Sequence, residues 1–318
     1  MDQNEILDKR WAKVKDIIAH KFPEIVFGFG YGSGVLPQAD YKYDPANAPV
    51  MDFIFVVEDL ERFLEDNYRM NPDHFTGLSR YLGPSFPHFL SKRLFPVLFY
   101  PNTDIKLDSD ASGGVFGEKL TVKYGVVAKE DFLQDLVSWD LFSIAGRLHK
   151  PVRFLPLKEN LGLGQAEMTG LLRHNLECSV DAGMLLNGNF EQGAQLGLKK
   201  LFLDIIGLSY EGELRSYLKA ESQGKKLQIF EGSQARFAAL YSGILRERFE
   251  TMGLVCSHPL ETHPFVGDEN FDQVYVQCLG KEHRVQIQDS LIPSSLVFGE
   301  NSQAWGISSK TPAGDTAD

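Results

Sequence analysis

One carboxylate sits where chemistry would want it and packing would not. Asp52 is the second residue of the apolar run Met51-Asp52-Phe53-Ile54-Phe55-Val56-Val57. Burying a carboxylate there is costly unless it is paired, hydrogen-bonded or metal-bound. Upstream, Phe27-Gly28-Phe29-Gly30-Tyr31-Gly32-Ser33-Gly34-Val35 places glycine at every second position, with Ser33 between the last two. Glycine permits a sharp turn and close approach to the main chain. The N–H groups of such a turn, with a hydroxyl among them, suit phosphate oxygens. Tyr31, Gly32, Ser33 and Gly34 are therefore candidate phosphate-binding residues. G-x-G-x-x-G fails because Ser33 and Val35 occupy the third glycine's place, and no Gly-Lys-Ser/Thr follows as in a Walker A loop. A hydroxyl turn followed by a carboxylate on the next strand suits a nucleoside triphosphate with its Mg²⁺: serine on the phosphates, aspartate on the cation. The competing readings are a glycine turn packed for shape and a buried aspartate satisfied by hydrogen bonds.

Nucleotidyl transfer asks for carboxylate-held Mg²⁺, cations on the leaving pyrophosphate and in-line positioning. A second metal ligand would share the strand face two residues from Asp52, but those positions are Val50 and Ile54. Asp40, Asp44, Glu58, Asp59 and Asp135 all stay open for that role. Lys123 lies inside an apolar strand, where it either meets an anion or snorkels from a sheet edge. Arg147 and Lys150, three apart, share a helix face and could bind phosphate, or could simply complement the helix dipole. Asn67, Asn71 and His74 could reach a base, ribose or phosphate, or could be solvated surface residues. Arg215, beyond the turn Ser209-Tyr210-Glu211-Gly212, is a candidate for a second phosphate.

The elements needed to position these groups are legible in outline. Spacing predicts an amphipathic helix over 4–21, ended by Pro23, with the strand Ile25-Val26-Phe27 running into the glycine turn. Strands follow at 51–57, 96–100 and 120–127, with an extension at 103–107 and a last strand at 152–155. Helices are expected at 60–69, 74–81, 131–137 and 139–148. This is an α/β (α+β) mixed-sheet domain over residues 1–158. Residues 159–300 read as mainly helical, with helices at 168–186, 192–208 and 234–250 and a small hairpin from 274–277 and 284–287. Residues 301–318 are polar and expected to be disordered.

Bulk properties narrow the function classes. The chain has 318 residues, 43% hydrophobic and 24% charged, with a net charge of −11. That charge argues against nucleic acid as the main partner and allows only local contact with an anionic membrane surface. Three cysteines, Cys178, Cys256 and Cys278, form no CxxC and fit a reduced compartment without structural zinc. No apolar run is long enough to span a bilayer. The opening Met1-Asp2-Gln3-Asn4-Glu5 reads neither as a secretory signal nor as a transit peptide.

Further motifs stand in order along residues 24–245: Tyr31-Gly32-Ser33-Gly34-Val35 with Gln38, Asp52-Phe53-x-Phe55, and Lys123-Tyr124-Gly125-Val126. Asp135 with Trp139, Ala145-Gly146-Arg147-Leu148-x-Lys150-Pro151-Val152, and Gly207-Leu208-Ser209-Tyr210-x-Gly212 with Arg215 complete the set. Together they resemble the mitochondrial phosphatidate cytidylyltransferases, also called translocator assembly and maintenance proteins. The resemblance implies a nucleotidyltransferase-fold domain followed by a winged-helix-like helical domain. It implies CTP and phosphatidic acid as substrates, CDP-diacylglycerol and pyrophosphate as products, and Mg²⁺ as cofactor. It further implies a peripheral enzyme on the matrix side of the mitochondrial inner membrane, serving cardiolipin and phosphatidylglycerol synthesis. On this chain Ser33 would hold the CTP phosphates and Asp52 the metal, with Lys123, Arg147 and Lys150 as phosphate-binding candidates inside matched motifs. Ile54 departs from the Asp-x-Asp of the wider fold, and no basic amphipathic C-terminal helix is seen. The rival classes are nucleotidyl transfer to RNA or a small molecule, and a non-enzymatic assembly factor for inner-membrane translocases.

Overall fold

The structure is a computed structural model that describes residues 3–39, 49–107, 119–155, 165–187, 195–210, 221–251, 254–256 and 275–278. Its first part is organised by strands β1 (Phe27–Tyr31), β2 (Met51–Val57), β3 (Leu98–Lys106), β4 (Lys119–Ala128) and β5 (Arg153–Leu155). They form one sheet in the order β3-β4-β2-β1-β5, with β2 and β4 parallel and the other neighbours antiparallel.

Side chains alternate across a strand, so each strand divides its residues between two layers. Met51, Phe53, Phe55 and Val57 of β2 join Val122, Tyr124 and Val126 of β4 beneath α1 (Gln3–Lys21) and α2 (Leu60–Met70). Ile54 and Val56 face the opposite way, toward α5 (Lys129–Ser138) and α6 (Ala145–Leu148). Between α2 and β3 lie the short helices α3 (Leu78–Leu82) and α4 (Ser85–Arg93). The helix expected over 74–81 is instead a 3₁₀ turn at Pro72–His74 and then α3, with Gly77 at positive φ between them. The two segments expected at 96–100 and 103–107 are one strand, β3, with a register shift between Tyr100 and Thr103.

The second part is mainly helical, comprising α7 (Gln165–Leu186), α8 (Leu198–Leu208), α9 (Glu221–Glu231) and α10 (Gln234–Thr251) around a separate apolar core. Strands β6 (Gln195–Gly197), β7 (Leu254–Cys256) and β8 (Tyr275–Cys278) form a three-stranded antiparallel sheet in the order β6-β8-β7. The helix expected over 192–208 therefore begins only at Leu198. The strand expected at 274–277 appears as β8, while its expected partner at 284–287, Arg215 and the 301–318 tail lie outside the described residues.

The two parts pack directly together. Gly232, between α9 and α10, touches the segment after the glycine turn: a Cβ there would lie 2.5 Å from Gln38 Cα and 2.6 Å from the Pro37 carbonyl oxygen. The Tyr241 hydroxyl donates to the His149 carbonyl (2.7 Å), and Trp139 Nε1 donates to Asn175 Oδ1 (2.8 Å).

Candidate active site

The glycine strand is longer than the sequence pattern predicts. Gly28 and Gly30 lie inside β1, and the turn begins only at Gly32. Gly30 is needed for packing, since a Cβ would lie 2.6 Å from the Trp11 ring. Gly32 has φ +77°, a conformation that side chains disfavour. Its carbonyl accepts the N–H groups of Val35 (3.1 Å) and Leu36 (2.9 Å), closing a tight turn over Ser33 and Gly34. Gly34 packs so closely that a Cβ would lie 2.3 Å from the Val50 carbonyl oxygen.

Strand register then delivers the rest. Asp52 pairs with Tyr31 on one side and with Lys123 on the other. Period-two alternation puts all three on the sheet face that carries α5 and α6. Oδ2 of Asp52 comes within 3.0 Å of where a Cβ on Gly32 would stand. Tyr31, Gly32, Ser33, Asp52, Arg147 and Lys150 line one cleft of about 570 Å³, a size typical of small-molecule sites. Asp52 is the only carboxylate lining it among the described residues. Burial pushes the Asp52 carboxyl above its ordinary pKa, partly offset by Lys123, Arg147 and Lys225. Burial likewise raises the Tyr31 phenol, against the opposing pull of Arg147.

Two of the cations, Arg147 and Lys150, follow a segment shaped by Asp135. Its Oδ1 accepts N–H groups from Leu141 (3.0 Å) and Phe142 (2.7 Å), and its Oδ2 accepts from Ile144 (2.8 Å) and Ala145 (3.0 Å). Those four donors are thereby withdrawn from helical bonding. The continuous helix expected over 139–148 is instead an irregular loop, with Trp139 and Phe142 at positive φ, that leads into the short α6. The Arg147 guanidinium lies over the rings of Tyr31 (5.4 Å) and Phe99 (5.3 Å) and donates to the Ser143 carbonyl. Lys150 donates to Ser209 Oγ (2.5 Å) and lies over the Tyr210 ring (5.0 Å).

Several sequence expectations are corrected. Asp135 is no metal ligand, because it is 1% exposed and both of its oxygens are filled by backbone donors. Glu58 pairs with Lys129 (2.9 Å), and Asp59 caps α2 through the Arg62 N–H (3.0 Å). Both lie beyond the far end of β2, about 20 Å along the strand from Asp52. Asp40 and Asp44 lie outside the described residues. His74 and Asn71 face the opposite layer of the sheet. His74 Nδ1 meets the Tyr124 hydroxyl (2.9 Å), while Asn71 donates to the Lys21 carbonyl (2.8 Å) and Asn67 Oδ1 (2.9 Å). They hold α2 to the core and do not reach the cleft. Lys123 is no edge residue, since β4 lies between β3 and β2; it faces Asp52 from an exposed position without lining the cleft.

Sequence reasoning missed Lys225. Its ammonium donates to Gln38 Oε1 (2.6 Å) and lines the cleft from α9, a helix that carries no strong periodic signal. The pair Lys225-Lys226 after Gly224 was the available hint.

A strand-borne carboxylate facing a Gly-Ser turn, on a mixed sheet joined to a helical part that closes the cleft, defines a nucleotidyltransferase-like architecture. A family model described as "Phosphatidate cytidylyltransferase, mitochondrial" matches residues 14–294, and the chain belongs to that family. Proteins named phosphatidate cytidylyltransferase, mitochondrial, are among its relatives. The Homo sapiens protein is 31% identical over 244 residues, 76% of this chain and 48% of its own length. The Bos taurus protein is 33% identical over 244 residues, 76% of this chain and 65% of its own. That of Xenopus laevis is 33% identical over 226 residues, 70% of this chain and 60% of its own. The chain thus spans between 48% and 65% of the length of these relatives.

Proposed function

We propose that this chain transfers the cytidylyl group of CTP to phosphatidic acid, giving CDP-diacylglycerol and pyrophosphate. The observation that carries this reading is the meeting of Asp52 with the Gly32-Ser33 turn in one cleft flanked by Arg147, Lys150 and Lys225. Family membership and the names of the relatives supply the choice of nucleotide and acceptor.

A phosphate monoester has its second pKa at about 6, so phosphatidic acid reaches the site largely as a dianion near neutrality. No general base is needed to generate the nucleophile. A lipid phosphate oxygen forms the new bond to the α-phosphorus of CTP, and the bond from that phosphorus to the β-phosphate's bridging oxygen breaks. Pyrophosphate leaves with the electron pair. The protein's task is therefore to hold two anions in line and to neutralise their repulsion. In this reading Tyr31, Gly32, Ser33 and Gly34 seat the triphosphate, Lys150 and Lys225 bind its phosphate oxygens, and Arg147 faces the incoming lipid phosphate. Lys123 acts at longer range, by favouring the ionised form of Asp52.

Mg²⁺ is the cofactor in this proposal, and the residues fit it. Mg²⁺ characteristically takes one or two carboxylates and completes its shell with substrate phosphates and water, and Asp52 is a half-buried carboxylate beside the phosphate-binding turn. When bound, the cation would neutralise charge on the triphosphate. The same proposal places the chain on the matrix side of the mitochondrial inner membrane as a peripheral protein in cardiolipin and phosphatidylglycerol synthesis. Among the described residues, no helix is long and apolar enough to cross a membrane.

The test is incubation of the purified chain with CTP, Mg²⁺ and dioleoyl phosphatidic acid. Equal amounts of CDP-diacylglycerol and pyrophosphate are expected by mass spectrometry and phosphate assay. Nucleotide transfer to other acceptors with none to phosphatidic acid, or no binding of CTP with Mg²⁺, would overturn the proposal.

A further inference from the structure

Beside the cleft lies a second concavity of about 440 Å³, walled by apolar side chains from the connection between α4 and β3. Leu94 and Phe95 are 62% and 59% exposed, and Phe99 is 50% exposed. Leaving such side chains in water forgoes the free energy their burial would release. A cluster of this kind marks an interaction surface more often than an accident of packing. The position of Phe99 depends on a missing side chain: a Cβ on Gly125 would lie 2.9 Å from its ring.

This groove adjoins the cleft: Leu141 and Ser143 line both. Arg147 bridges them as well, its guanidinium lying over Tyr31 in the cleft and over Phe99 in the groove. A molecule that places a phosphate at Arg147 therefore has an apolar surface beside that phosphate. Immediately before Leu94, α4 ends in Lys92 and Arg93, both exposed. Cations beside exposed apolar residues complement the charged interface of an anionic bilayer. In a chain of net charge −11, this is a local exception of the kind that membrane contact would require.

We infer that the groove formed by Leu94, Phe95, Pro96, Phe99 and Leu141 seats the acyl chains of the lipid substrate, with Lys92 and Arg93 against the bilayer surface. The inference rests on the cleft being the site of transfer to a lipid phosphate. It adds where the hydrocarbon goes and which side of the protein meets the membrane. The groove's occupant is a phospholipid acyl chain rather than a protein segment, because the groove adjoins a cationic site at Arg147 suited to a phosphate.

The experiment uses a phosphatidic acid carrying a photoactivatable diazirine near the end of one acyl chain, in phosphatidylcholine vesicles with the full chain. After irradiation, adducts are mapped by peptide mass spectrometry. Labelling is expected on the peptide containing residues 94–99 and is expected to fall at least fivefold in Phe95→Asp. Leu94→Asp, also at an exposed site, should give the same loss, so a folding defect in one variant does not decide the result. Adducts concentrated elsewhere, or undiminished in both variants, would overturn the inference. CDP-diacylglycerol formation is followed in parallel. A chain that is active but labelled elsewhere refutes the groove alone, whereas one labelled in the groove but inactive refutes the proposed chemistry alone.

Discussion

Gly32, the first residue after β1, and Asp52 on the neighbouring β2 lie against each other: Oδ2 of Asp52 lies 3.0 Å from the position a Gly32 Cβ would take. The carboxylate thus rests against the backbone of the turn that carries Ser33. Any side chain at residue 32 would press on that carboxylate and also be strained by the positive φ.

Asp52→Asn should abolish most activity while leaving the fold at least as stable. Burial raises the folded pKa of Asp52 above its unfolded value. Its linkage contribution is therefore fully present below the unfolded pKa and is lost as pH rises through the folded pKa. At neutral pH the ionised carboxylate is a net cost to folding, and the neutral amide removes that cost. Turnover should fall by about 10²–10³, the usual loss for a group that stabilises the transition state, with an unchanged or higher Tm. Near-normal turnover with Mg²⁺ would remove Asp52 from the site.

Lys150 and Ser209 separate charge from scaffolding. Lys150→Met should raise the KM for CTP roughly tenfold, as expected for loss of a charge-assisted hydrogen bond. Ser209→Ala removes only the partner that holds the ammonium (2.5 Å) and should cost less than about threefold. Equal effects in steady-state kinetics would mean that Lys150 is structural.

Asp135→Asn should destabilise the protein by at least about 2 kcal/mol, because an amide nitrogen cannot accept the N–H groups its oxygen received. Activity should fall with it, since the same loop places Arg147. Denaturant titration measures the loss. A variant of undiminished stability with an altered Mg²⁺ requirement would restore Asp135 as a metal ligand.

Gly232→Ala tests the junction between the two parts. Its Cβ would meet main-chain atoms of Pro37, Gln38 and Ala39 at 2.5–2.7 Å, and main chain cannot swing aside like a side chain. A loss of about 1–3 kcal/mol is expected, together with weaker CTP binding in calorimetry, since Gln38 and Lys225 meet across this contact. Wild-type CTP affinity would show that α9 contributes nothing to the site.

Acid should weaken the fold through a histidine far from the chemistry. Burial lowers the His74 pKa from 6.5 to about 4. The folded state thus holds the neutral ring, and the stability this gives is present above pH 6.5 and is lost as pH falls toward 4. His74 alone should account for about 2 kcal/mol of lost stability between pH 7 and pH 5. Urea titrations at the two pH values should show a smaller loss in His74→Gln than in the wild type. An equal loss would place the acid sensitivity elsewhere.

The amino-acid sequence by itself determined the parts of the site whose signals are local. The apolar run at 51–57 had to be a strand covered on both faces, so Asp52 had to be exceptional. The glycines signalled a close-packed turn carrying Ser33, although Gly28 and Gly30 proved to lie in the strand before it. The motifs around Arg147 and Lys150 pointed to the same family as the 14–294 match. Tertiary structure decided which polar residues belong together, because membership depends on sheet face and on contacts remote in sequence. Asn71 and His74 follow Asp52 closely in sequence, yet they pack against the opposite layer. Asp135 lies in a matched motif, but four backbone donors from residues six to ten positions later convert it from a candidate ligand into the brace of a loop. Lys225, 187 positions from Gln38, joins the cleft only because Gly232 lets two main chains touch. Periodicity and turn chemistry act over a few residues and are written locally. The side of a sheet a loop returns to is set by packing of the whole chain, and only the folded molecule displays it.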